Sequence, residues 1–203
     1  MAARKCGRLV NKHTSLVQEW TAVAQNAIVA SAEYDLINSA AALLHIQAAL
    51  DTTTAHTGTR FLVQISASET GDEDWQDWAD FVALIGTAAT DLIEDNPLAA
   101  GSTDIALTGH ALTVEGIHLF IEDGTLVNSE LILEASQSTN EIVALRGTTN
   151  AHALNTAIFN VAMNQNVYLP ADVRRVQLVV DNSYDDNGST LNYKARITEV
   201  LEV

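Results

Sequence analysis

The segment from Val176 to Val203 constrains the fold most tightly, because an Asn187-Gly188 dipeptide sits between two runs of alternating apolar and polar residues. Asn-Gly favours the two-residue type I′ turn, since both residues tolerate positive φ, and that turn suits the twist of an antiparallel pair. Folding the chain there predicts a hairpin in which Val180 faces Ala195, Leu178 faces Ile197 and Tyr184 faces Leu191. Those apolar pairs share one side of the ribbon. Asp181 opposite Lys194 and Gln177 opposite Thr198 share the other, and only Glu199, opposite Val176, departs from the pattern. One apolar and one polar face is what a half-buried antiparallel sheet requires. The chain is therefore expected to end inside a β-sheet.

The same alternation recurs upstream. Residues 60–68 place Phe61, Val63 and Ile65 on one face, with Leu62, Gln64 and Ser66 opposite. Residues 15–50 are alanine-rich, which by propensity favours helix. Their apolar runs at 26–31 and 43–50 are short and bounded by polar breaks, however, so strand is the expectation there. Extended pieces are expected at 81–88, 105–107 and 111–114. A second hairpin is expected from 117–121 and 126–127 around Asp123-Gly124. Further strands follow at 130–135, 141–145, 157–163 and 166–169, the last ending before Pro170. Asn96-Pro97 and Gly101-Ser102 mark a loop. Short strands at regular intervals predict an all-β fold, an antiparallel β-sandwich or jelly roll. No Pro/Gly/Ser-rich linker divides the chain. The expected organisation is an extended N-terminal arm, residues 1–14, followed by one sandwich domain, residues 15–203.

The 203 residues carry a net charge of −16, which argues against nucleic acid as the main partner. Charged residues make up only 18%, against about 25% in an average soluble protein. Such a weakly charged polar surface suits broad packed interfaces. Against the acidic body, Arg4, Lys5, Arg8 and Lys12 crowd the start of the chain around Leu9 and Val10. These six residues read as a subunit contact, a basic arm docking on an acidic neighbour such as another copy. A frayed, solvated terminus is the competing reading. Cys6 is the sole cysteine, so an intrachain disulfide is excluded. Neither a signal h-region nor a membrane-spanning apolar run appears, and a soluble chain made in a reducing compartment is expected, with no membrane partner.

None of the six histidines, His13, His45, His56, His110, His118 and His152, falls into a zinc spacing. His118 lies in an apolar run and reads as a packed or rim residue. The sequence holds no phosphate loop, nucleophile elbow or Cys-His arrangement. No catalytic residue, cofactor or metal is therefore expected, and an enzyme is the least favoured class. Asp181 to Gly188 opens like an EF-hand loop, but Ser183 and Lys194 occupy ligand positions that need carboxylates. Asp72, Glu73, Asp74 and Asp77 form a second acidic stretch, read as solvated carboxylates. Trp75 and Trp78, followed by Phe81, would align on one face of a short helix or anchor a loop. Trp75 and Trp78 are the candidate platform for a surface ligand. Finally, Thr52-Thr-Thr-Ala-His56 recurs as Thr148-Thr-Asn-Ala-His152. The echo marks either two loops with matched roles or the chance recurrence of Thr/Asn-rich turns, and chance is the better supported.

Four strings, Thr57-Gly-Thr-Arg60, Gly71-Asp-Glu-Asp-Trp75, Ile85-Gly-Thr-Ala88 and Val179-Val-Asp-Asn-Ser-Tyr-Asp-Asp-Asn-Gly-Ser189, together resemble the β-rich virion structural proteins of tailed bacteriophages. The likeness is spread over residues 20–200. It implies a capsid decoration (cement) protein, or a head–tail or tail component, with no catalytic residues to carry over. The implied partners are other copies of the chain and a major capsid or tail protein. The implied location is the virion, after synthesis and assembly in the host cytoplasm. Two other classes are kept beside it: a glycan or surface-binding module built on Trp75 and Trp78, and a self-polymerising filament subunit.

Overall fold

Alternating apolar residues carry the described chain into strands. In a computed structural model, which describes residues 9–36, 39–71, 74–109, 112, 116–183 and 190–202, the protein is all-β and its sheets are antiparallel. The first part runs β1 (Leu9–Val23), β2 (Ile28–Ala30), β3 (Tyr34–Asp35), β4 (Ser39–Leu50), β5 (Ala55–His56), β6 (Thr59–Ser66), β7 (Gln76–Ala83) and β8 (Gly86–Thr87). A middle part follows as β9 (Thr90–Leu92), β10 (Asp104–Ala106), β11 (His118–Glu122), β12 (Glu130–Ser138), β13 (Glu141–Ala144) and β14 (Ala157–Phe159). The chain then returns through β15 (Ala162–Leu169), β16 (Arg175–Asp181) and β17 (Leu191–Glu202).

The first and last parts interleave as a β-sandwich. One sheet has the order β1-β17-β4-β15, and the facing sheet has the order β2-β16-β6-β7, with β3 also on β16. Leu44, Ile46 and Leu50 of β4, Phe61 and Val63 of β6, Leu178 and Val180 of β16, and Ala195 and Ile197 of β17 fill one core between them. Each large aliphatic side chain so buried stabilises the fold by about 1.5–3 kcal/mol relative to exposure. Phe61 stacks on its cross-strand neighbour Phe81, with ring centroids 5.5 Å apart.

The middle part forms its own core. Its six strands run β10-β13-β12-β11-β14-β9, and the two ends meet. Ile93 bridges Leu107, Glu94 N–H donates to Ala106 O (2.8 Å), and Thr108 N–H donates to Leu92 O (3.0 Å). The sheet thus closes into a small barrel filled by Ile93, Ile105, Leu119, Ile121, Ile142 and Ile158. Closure removes the sheet edges that β9 and β10 would otherwise leave open. The barrel packs on the outer face of the β1-β17-β4-β15 sheet, where Phe120 meets Trp20 at 5.0 Å between ring centroids. That sheet is therefore covered on its second face around Trp20, Asn192 and Lys194, while Arg196 of β17 stays exposed.

Strand β1 already begins at Leu9, and Leu9, Lys12, His13 and Thr14 lie opposite Glu202, Val200, Glu199 and Thr198 of β17. The described part of residues 15–50 holds the rest of β1 and strands β2, β3 and β4 joined by turns, with no helix, as the short apolar runs indicated. The hairpin of 176–203 is corrected. Both of its strands exist, but β16 pairs with β2, β3 and β6, whereas β17 pairs with β1 and β4. Leu178, Val180, Ala195 and Ile197 do share one core, facing each other across the sandwich instead of lying side by side in one ribbon. The polar partners differ accordingly: Asp181 lies opposite Arg60 in β6, and Lys194 is ion-paired with Glu19. Alternation settles which face a residue occupies, not which strand lies beside it. Asn187-Gly188 and Tyr184 lie outside the described residues. The second hairpin stands with its return strand moved: β11 pairs with β12 in the register His118 to Leu133, while Leu126–Asn128 forms a 3₁₀ turn. Nor is there a helix at Trp75 to Phe81, where backbone pairing to β6 makes β7 a strand.

Candidate functional site: an exposed aromatic edge and a buried histidine latch

Strand β7 is the outer strand of its sheet and turns Trp78, Asp80 and Val82 to solvent. Trp78 is 49% exposed and Val82 61% exposed. Past the strand, Leu84 takes a left-handed backbone conformation (φ 63°) and stays buried, which throws Ile85 outward to 69% exposure. A bulky residue held there costs about 1–2 kcal/mol, so the display of Ile85 is sustained by its surroundings. Gly58 lies beneath both side chains: a Cβ there would fall 2.7 Å from Val82 Cγ1 and 3.2 Å from Ile85 Cγ1. At the other end of β7, Trp78 Nε1 donates to Tyr168 O (2.8 Å), and the Tyr168 side chain is 77% exposed beside it. The result is an apolar rim of Trp78, Tyr168, Val82 and Ile85, interrupted by the Arg60–Asp80 ion pair. Hydrogen bonding to Arg60 holds the Asp80 carboxyl below its ordinary range.

Trp75 behaves differently from Trp78. It is half-buried, and the Arg175 guanidinium lies 4.8 Å over its ring. Arg175, itself buried, donates to Ser68 O (2.9 Å), Gly71 O (2.5 Å) and Glu33 Oε2 (2.8 Å). Trp75 therefore anchors the connection between β6 and β7, while Trp78 displays its ring. The sequence-derived platform is divided between these two jobs. Val82, Ile85 and Tyr168 were missed. Val82 had a signal, since Trp78, Asp80 and Val82 follow the period of two that places them on one face.

A second cluster lies beside the barrel. His152 is 1% exposed; its Nε2 lies 2.8 Å from Glu130 Oε1 and its Nδ1 3.4 Å from Asp123 Oδ2. Glu130 also accepts from the Thr149 N–H (2.7 Å) and the Asn150 N–H (3.0 Å). Burial acts to raise the Glu130 carboxyl, but the hydrogen bonds from His152, Thr149 and Asn150 outweigh it and hold the group below the ordinary glutamate range. The arrangement fastens the loop before β14 to the β11–β12 connection. His56, the other half of the Thr-Ala-His echo, is also buried and bonds Thr59 Oγ1 through Nε2 (2.7 Å). Both repeats thus turn their histidine inward. His118 borders a groove of about 410 Å³ with Gln47, Asn164 and Arg146, and burial pushes its imidazole below the ordinary range. Nearby, burial and then the charges of Asp51 and Asp123 push the Glu122 carboxyl up. Among the described residues, no three His, Cys, Asp or Glu side chains converge to hold a metal ion.

Of the expected arm contacts, Leu9, Val10 and Lys12 belong to β1, while Arg4, Lys5 and Arg8 lie outside the described residues. Asp72 and Glu73 also lie outside, whereas Asp77 accepts from Gln64 Nε2 (2.9 Å). No helix is long and apolar enough to cross a membrane among the described residues.

No protein-family model matches the chain, and no curated protein matches it. Among solved structures it is weakly similar to the K1 adhesin domain of Lys-gingipain from Porphyromonas gingivalis, at 8% identity and TM-score 0.39, covering 94% of this chain and 99% of that one. The K3 adhesin domain of the same protein gives 11% identity and TM-score 0.37, covering 92% and 72%. VP17, a capsid protein of bacteriophage P23-77, gives 9% identity and TM-score 0.21, covering 97% and 100%. Likenesses this weak leave function to be argued from the geometry of the chain itself.

Proposed function

We propose that this chain is a non-enzymatic virion structural protein of the tailed-phage kind, a decoration protein that stabilises a capsid through contacts between subunits. The observation that carries this reading is the apolar rim of Trp78, Val82, Ile85 and Tyr168 on an otherwise acidic surface. Scattered single apolar side chains are ordinary on a soluble surface, but a row of them marks a place that is covered in use. Adhesion by surface burial needs no reacting group, and many weak symmetric contacts on a particle sum by multivalency. The test is co-sedimentation with capsids stripped of the protein. The chain is expected to pellet with capsids, and the double substitution Val82→Asp, Ile85→Asp to lose at least tenfold in affinity while remaining folded. Equal decoration by the double variant would remove the rim as the docking surface. Binding to tails in place of capsids would make the chain a tail or head–tail component.

The glycan-module reading draws on one observation, two exposed aromatic residues, Trp78 and Tyr168, tied together by the Trp78 Nε1–H donated to Tyr168 O. Sugar binding there would be lost in Trp78→Ala. A screen of surface glycans that finds no ligand would remove that reading.

A further inference from the structure

Most open sheet edges in this fold carry a device against pairing with another chain. The edge of β1 is broken by three register shifts against β17. Such bulges twist an edge away from would-be partners. The edge of β7 carries Asp77 and Asp80 and one register shift, and β2 is only three residues long. Strand β15 has none of these. Its eight residues, Ala-Met-Asn-Gln-Asn-Val-Tyr-Leu, include no charge and no proline, and they pair with β4 in unbroken register.

The parity of that ladder shows which backbone groups are open. Val161 O accepts from Leu50 N–H on the β4 side, and Tyr168 O faces away to meet Trp78. Antiparallel alternation then turns the N–H and C=O of Asn164 and Asn166 outward as well. Asn164, Gln165 and Asn166 are all exposed. Trp78 closes the edge at its Tyr168 end, and at the other end Ile85 and His118 line a pocket with Ala162 and Met163, so the stretch between is the open part. In the single chain, Gln165 Nε2 reaches Asn166 O at a long 3.3 Å.

We propose that this edge is a self-association surface, on which two copies pair β15 with β15 in antiparallel fashion about a two-fold axis at Gln165. In that register Asn164 lies opposite the partner's Asn166, and the reverse, each pair exchanging two backbone bonds, about four in all. Gln165 lies opposite the partner's Gln165 as a pair without backbone bonds, so amide side chains meet amide side chains across 164–166. The strand itself selects a second copy as the occupant, because Asn164-Gln165-Asn166 reads the same in both directions about Gln165 and a two-fold partner meets it like on like. Chains of net charge −16 repel one another, and β15 is an edge eight residues long on which two copies meet without opposing like charges. The inference goes beyond the virion reading and does not depend on it, since it requires only the open edge. Capsid binding and self-pairing are read in separate assays.

The test uses the full chain. In a Cys6→Ser background, Gln165→Cys places two thiols across the two-fold axis, where Cα atoms about 4.5 Å apart fall within disulfide reach. Mild oxidation is expected to give a covalent dimer of twice 21.8 kDa, while Asp77→Cys on the β7 edge stays at 21.8 kDa. By light scattering, wild type is expected to dimerise. Gln165→Lys and Gln165→Glu alone are each expected to weaken the dimer at least tenfold, and an equimolar mixture to restore it. A wild-type chain that remains at 21.8 kDa at high concentration overturns the proposal. So does a dimer indifferent to Gln165→Lys, or cross-linking no faster at Gln165→Cys than at Asp77→Cys.

Discussion

Glu130 shows how one side chain can fix a loop. Its carboxylate takes up the His152 ring and two backbone amides, and its acidity is strengthened despite burial. A carboxyl held below its ordinary value contributes stability that is complete above that value, near pH 4.3, and is lost as pH falls through the lowered one. Glu130→Gln should therefore cost about 1–3 kcal/mol at pH 7, with a difference from wild type that shrinks as pH falls through the lowered value. Urea unfolding of both proteins across that range checks it, and a difference independent of pH would show that the charge is not what fastens the loop. Gly147 sets a second limit in the same loop. A Cβ there would lie 2.3 Å from Gly101 O and 2.6 Å from its carbonyl carbon, atoms of backbone that cannot swing aside. Gly147→Ala is expected to destabilise by about 1–3 kcal/mol, the range for overpacking. A melting temperature equal to that of wild type would mean that the two loops slide apart freely.

At the scale of elements, Arg175 ties β16 to the connection between β6 and β7 through Ser68 O, Gly71 O and the Trp75 ring. Arg175→Met keeps the aliphatic stem but leaves those carbonyls without their donor, at a cost of about 3 kcal/mol. Hydrogen exchange in residues 66–71 and the fluorescence of Trp75 should report the loosening, and unchanged protection there would refute this role. Such a tie was illegible in the sequence, because an arginine in a strand reads as a solvated position. What was legible follows from periodicity: β6, β16 and β17 alternate cleanly, and their inward residues are those that the alternation selects. Partners were not legible. On the polar face of β17, Asn192, Lys194 and Thr198 are buried against Asp51, Glu19 and His45 while Arg196 between them is exposed, so polarity alone did not mean solvent. The barrel itself left little trace, since β9, β10 and β14 have three residues each, too few to show a period. At β7 the spacing of Trp75, Trp78 and Phe81 suited a helix, and pairing with β6 prevailed over it. For the candidate site, the sequence marked Trp78 and, through the period of two, Val82, but not Ile85 or Tyr168. Tyr168 belongs to the rim only because two sheet edges converge, a relation that no local pattern encodes.

For the whole molecule, the charge of −16 and the neutral edge of β15 set opposite expectations for two modes of assembly. Copies that pair through β15 gain nothing from ionic attraction and must overcome the mutual repulsion of two acidic bodies. Salt screens that repulsion, with a Debye length of about 10 Å at 0.1 M and about 3 Å at 1 M. Raising ionic strength should therefore tighten the β15 dimer, and it should also raise the melting temperature of the single chain by relieving self-repulsion. Docking of the basic segment Arg4, Lys5, Arg8 and Lys12 on an acidic neighbour responds in the opposite sense, because screening removes the attraction that holds it. A sedimentation series across salt concentrations distinguishes them by sign alone. Association that strengthens with salt and is abolished by Gln165→Lys assigns the contact to the sheet edge. Association that weakens with salt and survives Gln165→Lys assigns it to the basic segment, and β15 is then an edge left open for no second copy.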